Sequence, residues 1–380
     1  MSDSILFEPI VVGDWLLPNR VLMAPLTRSR AQQPGDIPWE LNAQYYAQRA
    51  TSGLIISEAT QISQQGKGYA FTPGIYTDEQ VAGWKLVNDR VHAAGGRIVC
   101  QMWHVGRISH VALQPNGDKP VSSSSKRAES KTYIDSDREM VDVSEPRALE
   151  TSELPGIVDQ YRHAAECCKA AGFDGVEIHG ANGYLLDQFV RDGVNDRTDS
   201  YGGSIENRCR LALEVARAVV GVWGAGRVGY RISPHSEYGD LKDSDPAAAF
   251  GHLAHGLGSM GLAYLHFVEG SGIRTDDPRD ERSEAGDAVI RERFRSGANE
   301  AGTAGVCIGN NAYTPELAAQ RVADGLYDAV AFGKLFISNP DLPERIRRDG
   351  PYREPNRETF YGGGAEGYSD QPQVDGHVLS

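Results

Sequence analysis

The chain has 380 residues, 40% of them hydrophobic, and a formal net charge of -14. That length suits either two domains or one large α/β barrel with insertions and excludes a small disulfide-stapled scaffold. The acidic balance argues against a broad basic face for nucleic acid or anionic lipid, and no stretch approaches the roughly 20 apolar residues of a membrane span.

The chain opens with Met1-Ser-Asp-Ser-Ile-Leu-Phe7, which has no basic region leading into an apolar one, so we expect a cytoplasmic protein. Leu6 to Leu17 alternates around the turn dipeptide Gly13-Asp14 and predicts a hairpin that covers the bottom of a barrel. Apolar runs ending in polar residues then recur at 21–26, 54–58, 98–103, 176–178, 228–233, 264–268, 306–309 and 329–333. Between and after them lie segments of helical character, at about 40–51, 79–95, 152–171, 204–223, 244–260, 285–302, 313–325 and 340–349, several opening on a capping residue such as Ser204, Ser244 or Thr314. Eight strand–helix alternations predict a (β/α)8 TIM barrel, because parallel strands buried on both faces read as short continuous apolar runs. No linker divides the chain: we expect one domain over 1–380, the barrel at roughly 20–350 and a loop and tail over 351–380.

The connection from about His110 to Thr151 follows the third strand and should lie above the catalytic rim as a lid. Tyr133-Ile134 and Met140-Val141 flank Asp135-Ser-Asp137 as a second hairpin within it.

Several features resolve to structure rather than chemistry. The five cysteines form no CxxC pair, and adjacent Cys167 and Cys168 point to different sides of a helix, so neither a disulfide nor a thiolate metal site is expected. His252 and His255 share a helix face without a third ligand nearby, and we expect no metal there. Gly224 to Gly229 and Gly362 to Gly367 both spell GxGxxG, but the first precedes a strand and the second has no helix after it, so neither is a dinucleotide fingerprint.

In a barrel the chemistry belongs at the carboxyl ends of the strands. The strongest cluster is His179-Gly-Ala-Asn182-Gly-Tyr184, at the end of the fourth run. Imidazole and amide can polarise a carbonyl or nitro oxygen, while a phenol of ordinary pKa about 10 can protonate a strongly basic carbanion. Leu185 to Phe189 reads as the start of the next structural segment. Pro25, Leu26, Thr27, Ala59, Gln101 and Arg231 sit on the same rim; Thr27, Gln101 and Arg231 offer groups suited to the carbonyls and nitrogens of a flat heterocycle. Gly309, Asn310, Gly333 and Lys334, after the last two strands, fall where barrels bind phosphate. Two competing readings stand beside a phosphorylated ring cofactor: a hydrolase or lyase using Glu58, Glu177 and His104, and a non-catalytic flavin- or phenol-binding protein.

The motifs Ala24-Pro-Leu-Thr-Arg28, Tyr45-Tyr46 with Arg49, Ser57-Glu-Ala-Thr60, Gln101-Met-Trp-His104, Gly106-Arg-Ile-Ser-His110, His179-Gly-Ala-Asn-Gly-Tyr184, Asp196-Arg-Thr-Asp199, Tyr201-Gly-Gly-Ser-Ile-Glu-Asn-Arg208 and Asn339-Pro-Asp-Leu342 occur in this order. Together they resemble the Old Yellow Enzyme family of FMN-dependent ene reductases, in its bacterial N-ethylmaleimide reductase-like branch, from about Leu6 to Pro372.

The resemblance implies non-covalent FMN, reduced by NADPH or NADH and re-oxidised by an activated alkene or nitro compound in ping-pong fashion. It implies Thr27 at flavin O4, Gln101 and Arg231 on the pyrimidine side, backbone contacts from Pro25 and Ala59, and Tyr69, Trp103 and Tyr361 lining the substrate side. His179 and Asn182 would hold the substrate oxygen while hydride passes from flavin N5 to the β carbon, and Tyr184 would protonate the α carbon. The implied partner is a small molecule, with no nucleic acid or membrane, in a monomer or homodimer. One departure is Lys334, where many relatives place an arginine that clamps the phosphate; another is the spelling Gly309-Asn-Asn-Ala-Tyr-Thr314.

Overall fold

A computed structural model describes residues 4–271 and 279–378. The eight runs form eight parallel strands: β1 Val21–Met23, β2 Ile55–Ile56, β3 Ile98–Trp103, β4 Gly175–His179, β5 Val228–Ile232, β6 Tyr264–Val268, β7 Val306–Asn310 and β8 Ala329–Phe332. Each pairs with the next, and β8 returns to β1 through Val330↔Val21, so the sheet closes. Closure removes both sheet edges, and with them any exposed ladder.

Side chains alternate along each strand. One set, including Val21, Met23, Cys100, Met102, Val176, Ile178, Tyr230, Leu265 and Phe267, packs outward in the cluster formed with the helices. The helices packed around the barrel are α1 Glu40–Ala47, α2 Asp78–Ala93, α3 Leu154–Ala170, α4 Ile205–Trp223, α5 Pro246–Ser259, α6 Glu281–Glu300, α7 Pro315–Ala323 and α8 Leu342–Arg347, with two short helices, Leu185–Val190 and Lys334–Ser338, at strand ends. Several starts are set by side-chain caps: Thr77 and Gln80 form a reciprocal capping box, while Ser204 and Thr314 each accept one free N–H. Ser244 is not a cap. Asp245 accepts from Ala248 N at the start of α5, and Ser244 Oγ instead donates to Asp192.

The inward set is layered along the barrel axis. At the bottom, the predicted hairpin forms from Ile10–Val12 and Trp15–Leu17. Its Val12, Trp15 and Leu17 pack with Leu22, Ile56, Val99, Tyr264 and Ile308 in one buried cluster. Gly13 lies so close to the turn leading into β5 that a Cβ there would sit 2.1 Å from the Gly226 carbonyl. Above the plug, Gly229 makes room for a ring: a Cβ would meet Tyr264 at 2.1 Å. The next inward positions are polar, Gln101, Glu177 and His266, all essentially without solvent exposure.

The connection after β3 forms the second hairpin with a register different from the expected one: Lys131–Thr132 pairs with Val141–Asp142. Tyr133 has left the ladder because its carbonyl accepts from Ala70 N at 3.0 Å and its hydroxyl meets Ser29 Oγ at 2.5 Å. This arm of the long connection therefore turns in over the barrel mouth.

Candidate active site

The mouth is an aromatic box. Trp103, at the end of β3, lies 4.8 Å edge-to-face from Tyr184 and 5.9 Å from Tyr69; Tyr133 stands 5.4 Å from Tyr69. His179, the last residue of β4, stacks parallel to Trp103 at 6.2 Å and meets Tyr184 edge-on at 5.1 Å. The structure thus brings together His179, Tyr184, Tyr69 and Trp103. Tyr361 reaches the outer side, 6.2 Å from Tyr133, and is 47% exposed.

The turn after β4 is what aims these groups. Asn182 and Gly183 both take positive φ, 56° and 80°, a conformation asparagine and glycine tolerate best. Three backbone polar groups of the turn are held: Asn182 N donates to Ser233 Oγ at 2.7 Å, Gly183 N to Asp187 at 3.0 Å, and Gly183 O accepts from Gln188 Nε2 at 2.7 Å. Asp187 is itself held by Arg191 at 2.8 Å. The short helix Leu185–Val190 therefore does more than begin the next segment: its Asp187 and Gln188 fix the turn that presents Asn182 and Tyr184. Their polar character inside an apolar stretch was the available signal.

Burial sets the protonation states. It holds His179 well below the ordinary histidine range, helped by the nearby Arg231 and His266, so its imidazole is neutral at physiological pH. It raises the Tyr184 phenol above its usual value, so the group keeps its proton. Four buried polar atoms around this mouth, His179 Nδ1, Asn182 Oδ1, Trp103 Nε1 and Arg231 Nε, have no protein partner. Buried polar atoms are normally satisfied, so an opening ringed with orphans is chemically suited to a polar, flat ligand.

On the opposite arc, Pro25, Leu26 and Thr27 remain partly accessible after β1, and Ala59 is buried after β2. Gln101 Nε2 donates to Glu177 Oε1 at 2.7 Å, and Arg231 Nη2 donates to Asn310 Oδ1 at 2.6 Å. Asn310 in turn reaches Ala331 O at 2.6 Å, tying β5, β7 and β8 at the rim. Gly333 and exposed Lys334 stand where β8 ends, and Leu26 Cδ2 lies 3.4 Å from where a Gly333 Cβ would be. Gly309 faces outward; a Cβ there would strike the Tyr313 hydroxyl at 2.8 Å and the Tyr327 ring at 2.9 Å, so packing accounts for this glycine.

The three groups of the hydrolase reading are otherwise engaged. Glu58 accepts from Arg28 N and the Tyr46 hydroxyl, and burial raises its carboxyl. His104 Nδ1 accepts from Gly106 N, and burial takes the ring down to about 3. Glu177 is held by Gln101 and His266.

Sequence reasoning missed a staple over the rim. Arg28 and Arg30 donate to carbonyls of Thr359, Phe360, Gly364 and Gly367, with Tyr368 stacked 4.0 Å on Tyr45 beneath. This staple carries Tyr361 to the mouth.

This barrel, with an aromatic box over polar inward groups, is that of a flavin oxidoreductase. The family model described as "NADH:flavin oxidoreductase / NADH oxidase family" matches residues 5–352. The rice (Oryza sativa subsp. japonica) protein 12-oxophytodienoate reductase 1 is 45% identical over 373 residues, 97% of this chain and 93% of its own. Among solved structures, morphinone reductase superposes with a TM-score of 0.91 at 49% identity, covering 98% of this chain and 97% of that one. The Old Yellow Enzyme homologue of Zymomonas mobilis gives 0.87 at 39% identity, over 97% and 99%. The chain belongs to the NADH:flavin oxidoreductase / NADH oxidase family, in its Old Yellow Enzyme group, and is an FMN-dependent ene reductase.

Proposed function

We propose that this chain, as a single cytoplasmic domain, reduces the C=C bond of small α,β-unsaturated carbonyl or nitro compounds at the expense of NADPH or NADH, with His179 and Asn182 gripping the electron-withdrawing oxygen and Tyr184 delivering the proton. The observation that carries this reading is the meeting of one neutral imidazole and one protonated phenol in a single aromatic box, with His179 Nδ1 buried and unpartnered; Asn182 lies on the turn between them, and its Nδ2 rather than its Oδ1 would donate to the substrate oxygen. Bound FMN supplies the hydride, which it takes from the nicotinamide.

The residues suited to hold FMN are Thr27, Gln101 and Arg231 against the ring, the backbone of Pro25, Leu26 and Ala59 beside it, and Asn310, Gly333 and Lys334 with the backbone at Gly309 for the phosphate. The orphaned Arg231 Nε fits an acceptor on the ring's pyrimidine side. A solved complex of morphinone reductase with tetrahydroNAD, at 48% identity, supports a nicotinamide as reductant. His179 donates a hydrogen bond without carrying charge, so it polarises the substrate oxygen without trapping the product as an ion pair. Tyr69, Trp103 and Tyr361 wall the substrate side and exclude water, so the proton reaching the α carbon comes from Tyr184.

An anaerobic titration tests this. Purified holoprotein should bleach at the flavin bands with one equivalent of NADPH or NADH and recover colour on adding one equivalent of an enone such as cyclohexenone. A sample that bleaches but is not re-oxidised by any activated alkene would be a nicotinamide oxidoreductase with another acceptor, and a yellow sample that does not bleach would be a flavin carrier.

A further inference from the structure

Glu177 is a buried carboxylate that the proton-transfer chemistry does not use. It stands on β4 between two outward-facing residues, Val176 and Ile178, so it points into the barrel, as do Gln101 on β3 and His266 on β6. All three are buried, at 1% exposure or less. Both carboxylate oxygens are engaged: Oε1 accepts from Gln101 Nε2 at 2.7 Å and Oε2 from His266 Nδ1 at 2.9 Å. Arg231 donates not to Glu177 but to the neutral amide of Asn310.

An ionised carboxylate can only accept hydrogen bonds. It therefore forces Gln101 to turn its NH2 group downward, leaving its carbonyl oxygen free for the mouth. It also forces His266 to keep its proton on Nδ1, making the ring a neutral donor. Burial alone would raise Glu177, but His266, Arg231 and Gln101 together hold it below the usual carboxylate range. The polar layer thus holds one negative charge below the one positive charge of Arg231.

We propose that Glu177 is a positioning residue for the flavin's pyrimidine edge: it fixes which face of the Gln101 amide meets the ring and offsets part of the Arg231 charge, thereby setting the flavin's reduction potential. This rests on the assignment of Gln101 and Arg231 to that edge. Without the negative charge, Arg231 would favour the anionic reduced ring more strongly.

The test is the two-electron midpoint potential of the FMN-loaded protein by dye equilibration, with the FMN dissociation constant measured alongside. Glu177→Gln, shown folded by circular dichroism, should shift the reduced-to-oxidised ratio at fixed potential at least about tenfold toward reduced, which for a two-electron couple is about 30 mV more positive. Glu177→Asp keeps the charge on a shorter arm that cannot span both partners. It should hold the wild-type potential while its FMN dissociation constant weakens tenfold or more, and it carries the test if the Gln variant does not fold. A wild-type potential in Glu177→Gln, or a wild-type FMN affinity in Glu177→Asp, would overturn the proposal. Failure of wild-type protein to bleach with a nicotinamide would instead remove the underlying flavin reading.

Discussion

Tyr184→Phe separates the two halves of the catalytic cycle. The lost group is one hydroxyl whose hydrogen-bond partner, the Tyr69 hydroxyl, lies 3.4 Å away, at the limit of a hydrogen bond. Its removal should cost less than about 1 kcal/mol of stability, because the ring keeps its edge contacts to Trp103 at 4.8 Å and His179 at 5.1 Å. On the proposed roles His179 and Asn182 would still hold the substrate oxygen, so binding of an enone should change little. What disappears is the positioned acid, whose usual contribution of roughly 10²- to 10⁴-fold corresponds to about 3–5 kcal/mol of barrier. In anaerobic stopped-flow, flavin reduction by nicotinamide should stay within about twofold of wild type, while re-oxidation by cyclohexenone should slow by that factor. The wild-type re-oxidation rate should also be flat from pH 6 to 9, since burial keeps Tyr184 protonated and His179 neutral throughout. Equal slowing of both half-reactions, or an unslowed re-oxidation, would remove Tyr184 as the acid.

Two further substitutions probe the phosphate end and the stability of the rim. Lys334 is an exposed point charge, and Lys334→Arg, with a planar fork for phosphate oxygens, should lower the FMN dissociation constant severalfold in a fluorescence titration; no tightening would leave phosphate binding to the backbone alone. Glu269, just after β6, is pushed up to about 7 by burial, with Tyr313 and Arg279 opposing. A raised carboxyl contributes fully below its unfolded value and loses that contribution as pH rises through 7, so the buried anion costs up to about 3 kcal/mol above that pH. Glu269→Gln should therefore melt higher than wild type by a margin that grows between pH 5 and pH 8, and a constant margin would refute the linkage.

The barrel was legible because its strands are buried on both faces, so each became a short apolar run whose edges the helix caps and glycines marked. The meeting of His179 and Tyr184 at the mouth was legible for the opposite reason: proton-handling groups clustered at a strand end have few structural explanations. Ser244 misled because two adjacent residues, Ser244 and Asp245, can each cap, and only the three-dimensional claim of Asp192 on Ser244 decides between them. The hairpin register near Tyr133 was hidden because a contact 63 residues away in sequence, from Ala70, outcompetes the local ladder. The Arg28 and Arg30 staple spans more than 300 residues of chain, and no local pattern encodes it.

The polar layer under the site shows what the alternation of strands can add. Val-Glu-Ile on β4 and Leu-His-Phe on β6 each place one ionisable residue in an apolar run, on the face that must point inward. Burying such a pair is rarely the most stable choice, since well-packed apolar side chains of similar volume serve a core as well or better. Lower in the same barrel, that apolar solution is the one in use, with Trp15, Tyr264 and Val99 filling the bottom. The change from apolar to polar occurs one inward position below Trp103 and His179 and no lower. Stability alone gives no reason for the change to fall there, whereas on the proposed assignment of Gln101 and Arg231 to the flavin's pyrimidine edge, a carboxylate that orients the one and balances the other would stand directly beneath that ring.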